Sequence, residues 1–205
     1  IAVESFSPEA DALVKAQSLL WKIFAQNSAV EIDHSDDGGM LINVTIPQAI
    51  RDISRSASDS IARCKVGVAG IRIVFPKKRS RHDWLHFLAL HDEVQVRQRI
   101  EAGLGMIEQF AESAGVDTSP VIEWQDELTS KWLAFGKASL GQQQVILLML
   151  RLQDLTTNPK ADKHNFIISD EFDRNLHPDA SRAVLQEIML LLNFRRSLSV
   201  VLSTH

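Results

Sequence analysis

Residues 165–178 read NFIISDEFDRNLHP, and this stretch decides the fold of the chain. Its first part is short and apolar and contains the β-branched pair Ile167 and Ile168, which predicts a buried strand, covered on both faces in a parallel sheet. The strand ends at the carboxyl edge of the sheet, where ligands of open α/β folds bind. Asp170 and Glu171 follow directly. Because unpaired buried charge is costly, these two carboxylates require a cation or a proton.

A second strand is expected beside the first. The pattern predicts a helix over residues 179–193 and then a short β-branched strand over residues 198–202. The order strand, helix, strand implies a right-handed parallel crossover. This topology predicts that His205 lies at the same sheet edge as Asp170 and Glu171.

A polar, glycine-containing turn at residues 136–144 leads into a strongly apolar helix over residues 145–155. Ser139 can cap this helix, and the N–H groups of its first turn form an anion site. Most capped helix starts bind nothing, so the turn indicates a site only together with the acidic strand end.

The first 135 residues indicate mixed helices and strands. Helices are predicted over residues 8–26, 48–63 and 92–114, and strands over residues 30–33, 40–46, 66–75 and 84–91. An Asp-Gly-Gly turn joins the first two strands into a hairpin. The strand at 84–91 is expected to pair with residues 71–75. Residues 121–135 place four apolar side chains on roughly one face, namely Trp124, Leu128, Trp132 and Phe135.

Three features of this region allow two interpretations each. The helix at 8–26 can cover the chain's own sheet or enter the groove of a partner. The acidic residues at 33–37 can form a solvated turn or a metal loop, although they lack the ligand spacing of an EF-hand. The basic cluster at 77–82 can be a solvated loop or can contact phosphates.

The composition limits the class of protein. Of 205 residues, 45% are hydrophobic, and the formal net charge is −4, which gives no electrostatic case for nucleic acid or a membrane. Cys64 is the only cysteine, so an intrachain disulfide is excluded, a reducing compartment is indicated, and Cys64 is expected to be a buried apolar residue. No apolar run approaches the roughly 20 residues that span a bilayer, and the amino end has no signal-peptide pattern. A cytoplasmic protein without membrane contact is therefore expected.

Three motifs follow one another: residues 138–143, ASLGQQ, residues 166–171, FIISDE, and residues 203–205, STH. They resemble the signature turn, the Walker B strand and the switch histidine in the carboxyl-terminal lobe of an ABC-type ATPase head. The resemblance is to the branch that includes SMC, RecF and OLD-like proteins and the AAA-type ATPases of bacterial defence systems. Residues 173–178, DRNLHP, resemble the D-loop in the form typical of OLD-like and defence-associated members. The resemblance covers residues 137–205.

The resemblance implies an α/β fold, an ABC-type P-loop NTPase lobe. Its sheet is mainly parallel and flanked by helices, with an antiparallel and helical insertion in the amino-terminal half. Residues 1–136 would be the insertion region of the ATPase head. Residues 137–205 would supply the signature, Walker B, D-loop and switch-histidine parts of the same domain.

The resemblance also implies ATP and Mg²⁺ as cofactors. Asp170 would hold Mg²⁺ through water, Glu171 would orient or deprotonate the attacking water, and His205 would contact the γ-phosphate. Phosphoryl transfer depends mainly on such positioning and charge stabilisation.

The signature turn is implied to bind nucleotide through Ser139, Gly141 and Gln142. In such heads Ser139 and Gly141 act across a dimer interface, on the γ-phosphate held by the other subunit. The implied partner is therefore a second ATPase subunit, in a homodimer or a higher oligomer, which ATP joins and hydrolysis releases.

Three departures from the family pattern bear on this interpretation. Leu140 replaces the small residue of the signature, and Phe172 stands where transporters have Pro. No G-x-x-x-x-G-K-[ST] phosphate loop occurs in the sequence, and Gly67 to Gly70 have neither its spacing nor its Lys. Two readings follow: the loop lies upstream of this fragment, or the chain is a degenerate ATPase that serves as a scaffold.

The function predicted is an ATPase head in DNA maintenance or anti-phage defence, with a nuclease or toxin partner and with DNA or RNA as further candidate partners. The first alternative is a non-hydrolysing assembly module. The second is a transporter ATPase subunit, which the long region over residues 8–130 and the D-loop form disfavour.

Overall fold

The computed structural model describes residues 2–6, 29–34, 40–45, 48–74, 86–89, 121–157, 165–193 and 198–204, and six helical residues, Ala12, Lys15, Ala16, Leu19, Leu20 and Ile23. The chain divides into two compact units. The first comprises Ile1–Ala16, Arg51–Ile73 and Ile122–His205, and the second comprises Gln17–Ile50 and Val74–Val121. The first unit thus contains all three motifs.

The described elements are mostly strands up to residue 134, and helices and strands alternate after that. In chain order they are β1 (Ala2–Phe6), β2 (Ala29–His34), β3 (Met40–Thr45), α1 (Gln48–Arg63), β4 (Val68–Val74), β5 (His86–Ala89), β6 (Val121–Asp126), β7 (Trp132–Ala134), a 3-10 turn (Phe135–Lys137), α2 (Leu140–Thr157), β8 (Asn165–Ser169), α3 (Pro178–Asn193) and β9 (Leu198–Leu202). Helices α1, α2 and α3 confirm the helices predicted there from apolar periodicity, and α2 begins five residues earlier than predicted.

A parallel three-stranded sheet of order β1-β8-β9 lies in the first unit. Strands β8 and β9 pair in parallel from Asn165 opposite Leu198 to Ser169 opposite Leu202, with α3 between them in sequence. The predicted parallel crossover from β8 to β9 is therefore confirmed. Strand β1 was not predicted, and it pairs in parallel with the other edge of β8.

Strand β8 is buried on one face only, so the prediction of two covered faces is wrong for the described structure. Ile167 and Ser169 are fully buried, whereas Ile168 is exposed. Val201, the register partner of Ile168 on β9, is exposed as well. Because register partners on neighbouring strands point to the same face of a sheet, Ile168 and Val201 share the open face, while Ile167 and Ser169 point to the other.

Helix α2 supplies much of the core of the first unit. Residues 145–150 are all buried, along with Leu152 and Leu155. A helix that is apolar on all sides is characteristic of a buried position, which agrees with the predicted run at 145–155.

A second sheet of the first unit has the order β4-β6-β7, and β6 pairs antiparallel with β7. The common apolar face predicted over residues 121–135 is wrong. Trp124 is buried and donates a hydrogen bond from Nε1 to the carbonyl oxygen of Ala134, 3.2 Å away, while Leu128 lies exposed in the turn. The chain reverses at that turn, so helical spacing does not apply.

The second unit contains an antiparallel sheet of order β2-β3-β5. The predicted pairing of the first two strands is confirmed by β2 and β3. Strand β5 pairs with β3, with Met40 opposite Ala89, so its predicted pairing with residues 71–75 is wrong. Two of the three described sheets contain antiparallel pairs, and both lie within residues 1–136, where the antiparallel and helical insertion was expected. The sheet that contains β8 and β9 is parallel, so the described structure is a mixed arrangement of helices and sheets.

A polar network joins helices α1, α2 and α3. Gln153 Nε2 donates to Ser60 Oγ at 2.9 Å, and Arg63 donates both to Ser60 and to the buried carboxylate of Glu187. Cys64 is buried as predicted, and burial raises the pKa of its thiol to about 12. A thiol with so high a pKa stays protonated and unreactive.

Within the described ranges, no helix is both long and apolar enough to cross a membrane. Several predictions lie outside the described residues. They are the hairpin turn at 35–39, the basic cluster at 77–82, the helix at 92–114, and His205.

Candidate functional site

The acidic pair lies at the carboxyl end of β8, beside the end of β9. Asp170 and Glu171 follow Ser169, the last residue of β8, and Ser203 follows Leu202, the last residue of β9. Ser169 and Leu202 are register partners in the parallel ladder. The next residue of each strand therefore meets its counterpart, which brings Ser203 to the acidic pair.

Ser203 forms four hydrogen bonds to the residues at the end of β8. Its hydroxyl donates to Asp170 Oδ1 and accepts from the backbone N–H of Glu171, 2.8 Å away. Its own N–H donates to the carbonyl oxygen of Ser169 at 3.0 Å, and its carbonyl oxygen accepts from the N–H of Phe172 at 3.2 Å. The two strand ends are thus tied together by main-chain and side-chain bonds.

Glu171 adopts a left-handed backbone conformation, with φ of 45°. A non-glycine residue seldom adopts positive φ, because its Cβ crowds the backbone, and the surroundings must hold it there. Two contacts hold Glu171 in this conformation: the next residue, Phe172, is buried, and the N–H of Glu171 donates to Ser203 Oγ. The chain therefore turns sharply at Glu171 and exposes the acidic pair at the sheet edge.

The turn after Glu171 contains an ion pair. Arg174 Nη1 lies 2.8 Å from Glu171 Oε2, and the N–H of Arg174 donates to the carbonyl oxygen of Glu171 at 3.0 Å. The turn continues with a bond from the N–H of Leu176 to the carbonyl oxygen of Asp173, also at 3.0 Å. Arg174 therefore closes one turn of chain around the carboxylate of Glu171.

Helix α2 begins with a reciprocal cap. The N–H of Gln142 donates to Ser139 Oγ at 3.3 Å, and the N–H of Ser139 donates to Gln142 Oε1 at 2.9 Å. This is a capping box, which satisfies two N–H groups that a helix start leaves without intrahelical partners. Gln142 Nε2 also donates to the carbonyl oxygen of Val66 at 2.9 Å, which ties the cap to the chain between α1 and β4. The predicted cap at Ser139 is confirmed.

Gly141 packs the start of α2 against the turn that follows the acidic pair. It is buried, and a Cβ at this position would lie 2.3 Å from the carbonyl oxygen of Asn175 and 2.9 Å from Leu176 Cδ2. No side chain fits at such distances. Gly141 thus allows the signature turn and residues 173–176 of the same chain to touch.

Helix α3 begins directly after this turn, at Pro178. Residue 178 is the first helical position, where Pro is favoured because its missing N–H needs no partner. His177 Nδ1 accepts from the N–H of Asp179 at 3.3 Å, and the His177 carbonyl oxygen accepts from the N–H of Ser181 at 2.9 Å. His177 therefore caps α3, and the Leu-His-Pro sequence has a local structural reason.

The structure thus joins some predicted site residues and not others. Asp170 and Glu171 lie together, and the turn after them touches Gly141. Ser139 and Gln142 bind one another at the same helix start, and His205 lies outside the described residues. Sequence reasoning missed the roles of Ser203 and Arg174.

Each of the missed residues has a signal in the sequence. Counting two parallel strands of five residues places Ser203 level with Asp170. The spacing of three between Glu171 and Arg174 suits an ion pair across one turn.

The donor set at the edge suits a hydrated magnesium ion. Asp170 is exposed, and an ionised carboxylate has about four lone-pair sites, of which the Ser203 hydroxyl occupies one. Mg²⁺ is usually held by one or two carboxylates together with waters and substrate phosphates. No group of three or more His, Cys, Asp or Glu side chains able to hold a metal occurs among the residues that the structure describes. The exposed carboxylate of Asp170 could therefore hold a hydrated Mg²⁺ ion together with water and substrate phosphates.

Comparisons with known proteins find only solved structures. No protein-family model matches the sequence, and no curated protein matches it significantly. One similar structure is an SMC head domain with an extended coiled coil bound to the C-terminal domain of ScpA, derived from Pyrococcus furiosus, at 15% identity and a TM-score of 0.46, over 76% of this chain and 28% of that chain. Another is an SMC head bound to the C-winged helix domain of ScpA, at 12% identity and a TM-score of 0.46, over 77% of this chain and 36% of that chain.

This chain therefore spans about a third of the length of the two solved structures. At this identity and TM-score the likeness does not show what the chain does.

Proposed function

We propose that the chain forms part of an ABC-type ATPase head, of the branch that includes SMC, RecF and OLD-like proteins, which binds ATP with Mg²⁺ and hydrolyses it. One observation carries this proposal. Two adjacent carboxylates stand at the carboxyl end of a parallel strand and are tied to the end of the neighbouring parallel strand. In open α/β folds this edge is where ligands bind. In the same proposal, residues 137–205 supply the motifs of the head and residues 1–136 its insertion region.

In this proposal the two carboxylates of the acidic pair have different roles. Asp170 would hold Mg²⁺ through water, and Glu171 would orient the attacking water and accept its proton. Bound Mg²⁺ would neutralise charge on the phosphate oxygens. Glu171 first has to leave Arg174, and the half-exposed pair makes that exchange easy. His205, two residues beyond Ser203, would contact the γ-phosphate.

The start of α2 would serve the same nucleotide chemistry. Ser139 is exposed at the helix start and Gln142 fixes its position, so both are proposed nucleotide contacts. The positive end of the helix dipole favours phosphate there. Gly141 is buried against Asn175, which supports a packing role that couples the signature turn to the D-loop. Across a dimer, this coupling would link nucleotide binding in one head to the acidic pair of the other.

The proposed partner is a second copy of the head, in a dimer or a higher oligomer in the cytoplasm. A nuclease or toxin partner and a nucleic acid are proposed at the level of the whole assembly. The Leu-His-Pro form supports anti-phage defence over DNA maintenance. The proposal assigns nucleotide chemistry to this chain and any cutting to the partner.

The test is ATP turnover by the full-length protein and its Glu171→Gln variant. Gln keeps the shape of Glu but cannot accept a proton, so we expect turnover to fall roughly 10²-fold or more. ATP-dependent dimer, measured by light scattering, should increase because release is blocked. Glu127→Gln is the matched control, since Glu127 lies exposed in the turn between β6 and β7. Unchanged turnover in Glu171→Gln would falsify the proposal.

One observation favours a second candidate, a non-hydrolysing assembly module. Leu140 occupies the small-residue position of the signature, and its side chain is exposed at the first turn of α2. A side chain there obstructs close approach of a phosphate. For this candidate the full-length protein would bind ATP and dimerise without measurable turnover, and Glu171→Gln would change neither property.

A further inference from the structure

We propose that Ser203 is the positioning residue of the acidic pair: its hydroxyl sets the orientation of Asp170 and the backbone of Glu171 together. This inference rests on the proposed ATPase function, and it deepens the account of that site by one residue. It starts from one contact pattern, in which a single hydroxyl binds the side chain of Asp170 and the main chain of Glu171. Neither bond follows from the strand ladder alone.

The direction of the two bonds is determined by chemistry. A serine hydroxyl has one proton to donate and lone pairs to accept. The backbone N–H of Glu171 can only donate, so Ser203 Oγ accepts there. The hydroxyl proton then remains for Asp170 Oδ1, which as an ionised carboxylate can only accept. The two hydrogen bonds therefore run in series, from the N–H of Glu171 to Ser203 Oγ and from the Ser203 hydroxyl to Asp170. Hydrogen bonds in series strengthen one another.

The position of the hydroxyl is itself fixed by the main chain. The N–H of Ser203 is bound by Ser169, and its carbonyl oxygen is bound by Phe172, which is buried. These two bonds do not involve the side chain. Removing the hydroxyl therefore leaves the strand ends joined and removes only the bonds to the acidic pair.

The Ser203 hydroxyl thus constrains two groups that have different chemical roles, the side chain of Asp170 and the backbone of Glu171. Asp170 needs one fixed orientation to hold a hydrated cation, and Glu171 needs a fixed backbone because it adopts positive φ. A misplacement of about 1 Å in a catalytic constellation lowers a rate by about 10²-fold. Position 203 thus requires a hydroxyl, and we expect Thr to satisfy this requirement because it keeps the hydroxyl and residue 203 is exposed.

The experiment compares Ser203→Ala and Ser203→Thr with the wild type in the full-length protein. Ser130→Ala is the control, since Ser130 lies exposed in the turn between β6 and β7. The first measurement is amide hydrogen exchange at Glu171, resolved by fragmentation mass spectrometry. We expect exchange to accelerate about 10-fold in Ser203→Ala, because one hydrogen bond to that N–H is lost, and to stay near wild type in Ser203→Thr and Ser130→Ala.

The second measurement is ATP turnover as a function of Mg²⁺ concentration. We expect Ser203→Ala to lower kcat about 10-fold or more and to raise the Mg²⁺ concentration that gives half-maximal turnover. Ser203→Thr should restore both quantities. A residue that only stabilised the fold would change the melting temperature without moving the Mg²⁺ dependence.

The outcomes separate this inference from the proposed function. Wild-type exchange at Glu171 in Ser203→Ala overturns the positioning role, whatever the turnover. Faster exchange with wild-type turnover and Mg²⁺ dependence also overturns it. If the wild type hydrolyses no ATP, the proposed function fails, and the exchange measurement alone decides whether Ser203 holds the pair.

Discussion

Two glutamate–arginine pairs of the first unit differ in the burial of the glutamate and in the number of hydrogen bonds, since Arg63 binds both carboxylate oxygens of Glu187. Glu171 lies 2.8 Å from Arg174 in the turn at the sheet edge, and Glu187 lies 2.6 Å from Arg63 between α3 and α1. The side chains of Glu171 and Arg174 are 31% and 53% exposed, whereas that of Glu187 is 3% exposed. We therefore expect the pair at the edge to exchange easily and the pair between the helices, with its buried glutamate, to contribute more to stability.

The surroundings of Glu187 also keep it charged. Burial by itself would raise the pKa of Glu187, but hydrogen bonds from Arg63 and Ser60, and the charge of Arg63, outweigh burial and lower this pKa. The hydrogen bond to Glu187 in turn raises the pKa of Arg63. A group held in this way contributes to folding and is a poor proton acceptor, which is the opposite of what hydrolysis asks of Glu171.

Removing each arginine in turn tests the comparison of the two pairs directly. Arg63→Ala leaves Glu187 buried without its charged donor, and we expect the free energy of unfolding to fall by about 2 kcal/mol, less than for fully buried pairs because Arg63 is 56% exposed. Arg174→Ala should cost at most about 1 kcal/mol, since exposed pairs stabilise little. Urea unfolding of both variants measures this, and equal losses would contradict the comparison.

Gly141 tests whether packing, and not the ion pair, holds the turn at the sheet edge. Gly141→Ala forces a methyl group onto the Asn175 carbonyl, and we expect a loss of about 1–3 kcal/mol in the free energy of unfolding. Leu140→Ala, one residue away and exposed, is the control and should cost no more than about 0.5 kcal/mol. Adding Leu176→Ala should not restore the stability lost in Gly141→Ala, because the atom nearest to the new methyl group is the main-chain oxygen of Asn175. Restored stability would show that the Leu176 side chain is the obstacle instead.

The smallest expected effect is a difference in acid stability. The folded-state pKa of Glu187 lies below its usual value of 4.5, so the charged group stabilises the protein above that pH, and this contribution disappears as the pH falls through the lowered pKa. Glu187→Gln should therefore be less stable at pH 7 and lose less stability than the wild type between pH 5 and about pH 3. Urea midpoints across this range provide the measurement, and parallel curves for the two proteins would argue against a lowered pKa.

Local patterns predicted the elements of the first unit well. Helices α1, α2 and α3, strands β8 and β9 and the cap at Ser139 all follow from apolar periodicity and capping residues close in sequence. The hairpin of β6 and β7 was missed because Trp124 and Phe135 happen to recur at helical spacing while the chain reverses between them. Strand β1 was missed because five residues without strong periodicity acquire strand structure only by pairing with β8.

For the candidate site, too, the sequence predicted some features and missed others. The resemblance of residues 166–171 to Walker B pointed to Asp170 and Glu171, and the crossover placed the end of β9 beside them. The bonds of Ser203, the contact of Gly141 with Asn175 and the exposed face of β8 were not predicted. Each depends on atoms that lie far apart in sequence.

The sequence by itself determined which segments of residues 137–205 are helices and strands, and which two carboxylates follow the central strand of the parallel sheet. Periodicity, caps and β-branched runs act within a few residues, so they can be seen in one dimension. Only the tertiary structure decided that β5 joins β3, that Ser203 binds the acidic pair, and that Glu187 is buried while Glu171 stays at the surface. Register between strands and burial of charge arise from contacts between distant segments, and a linear pattern does not encode them.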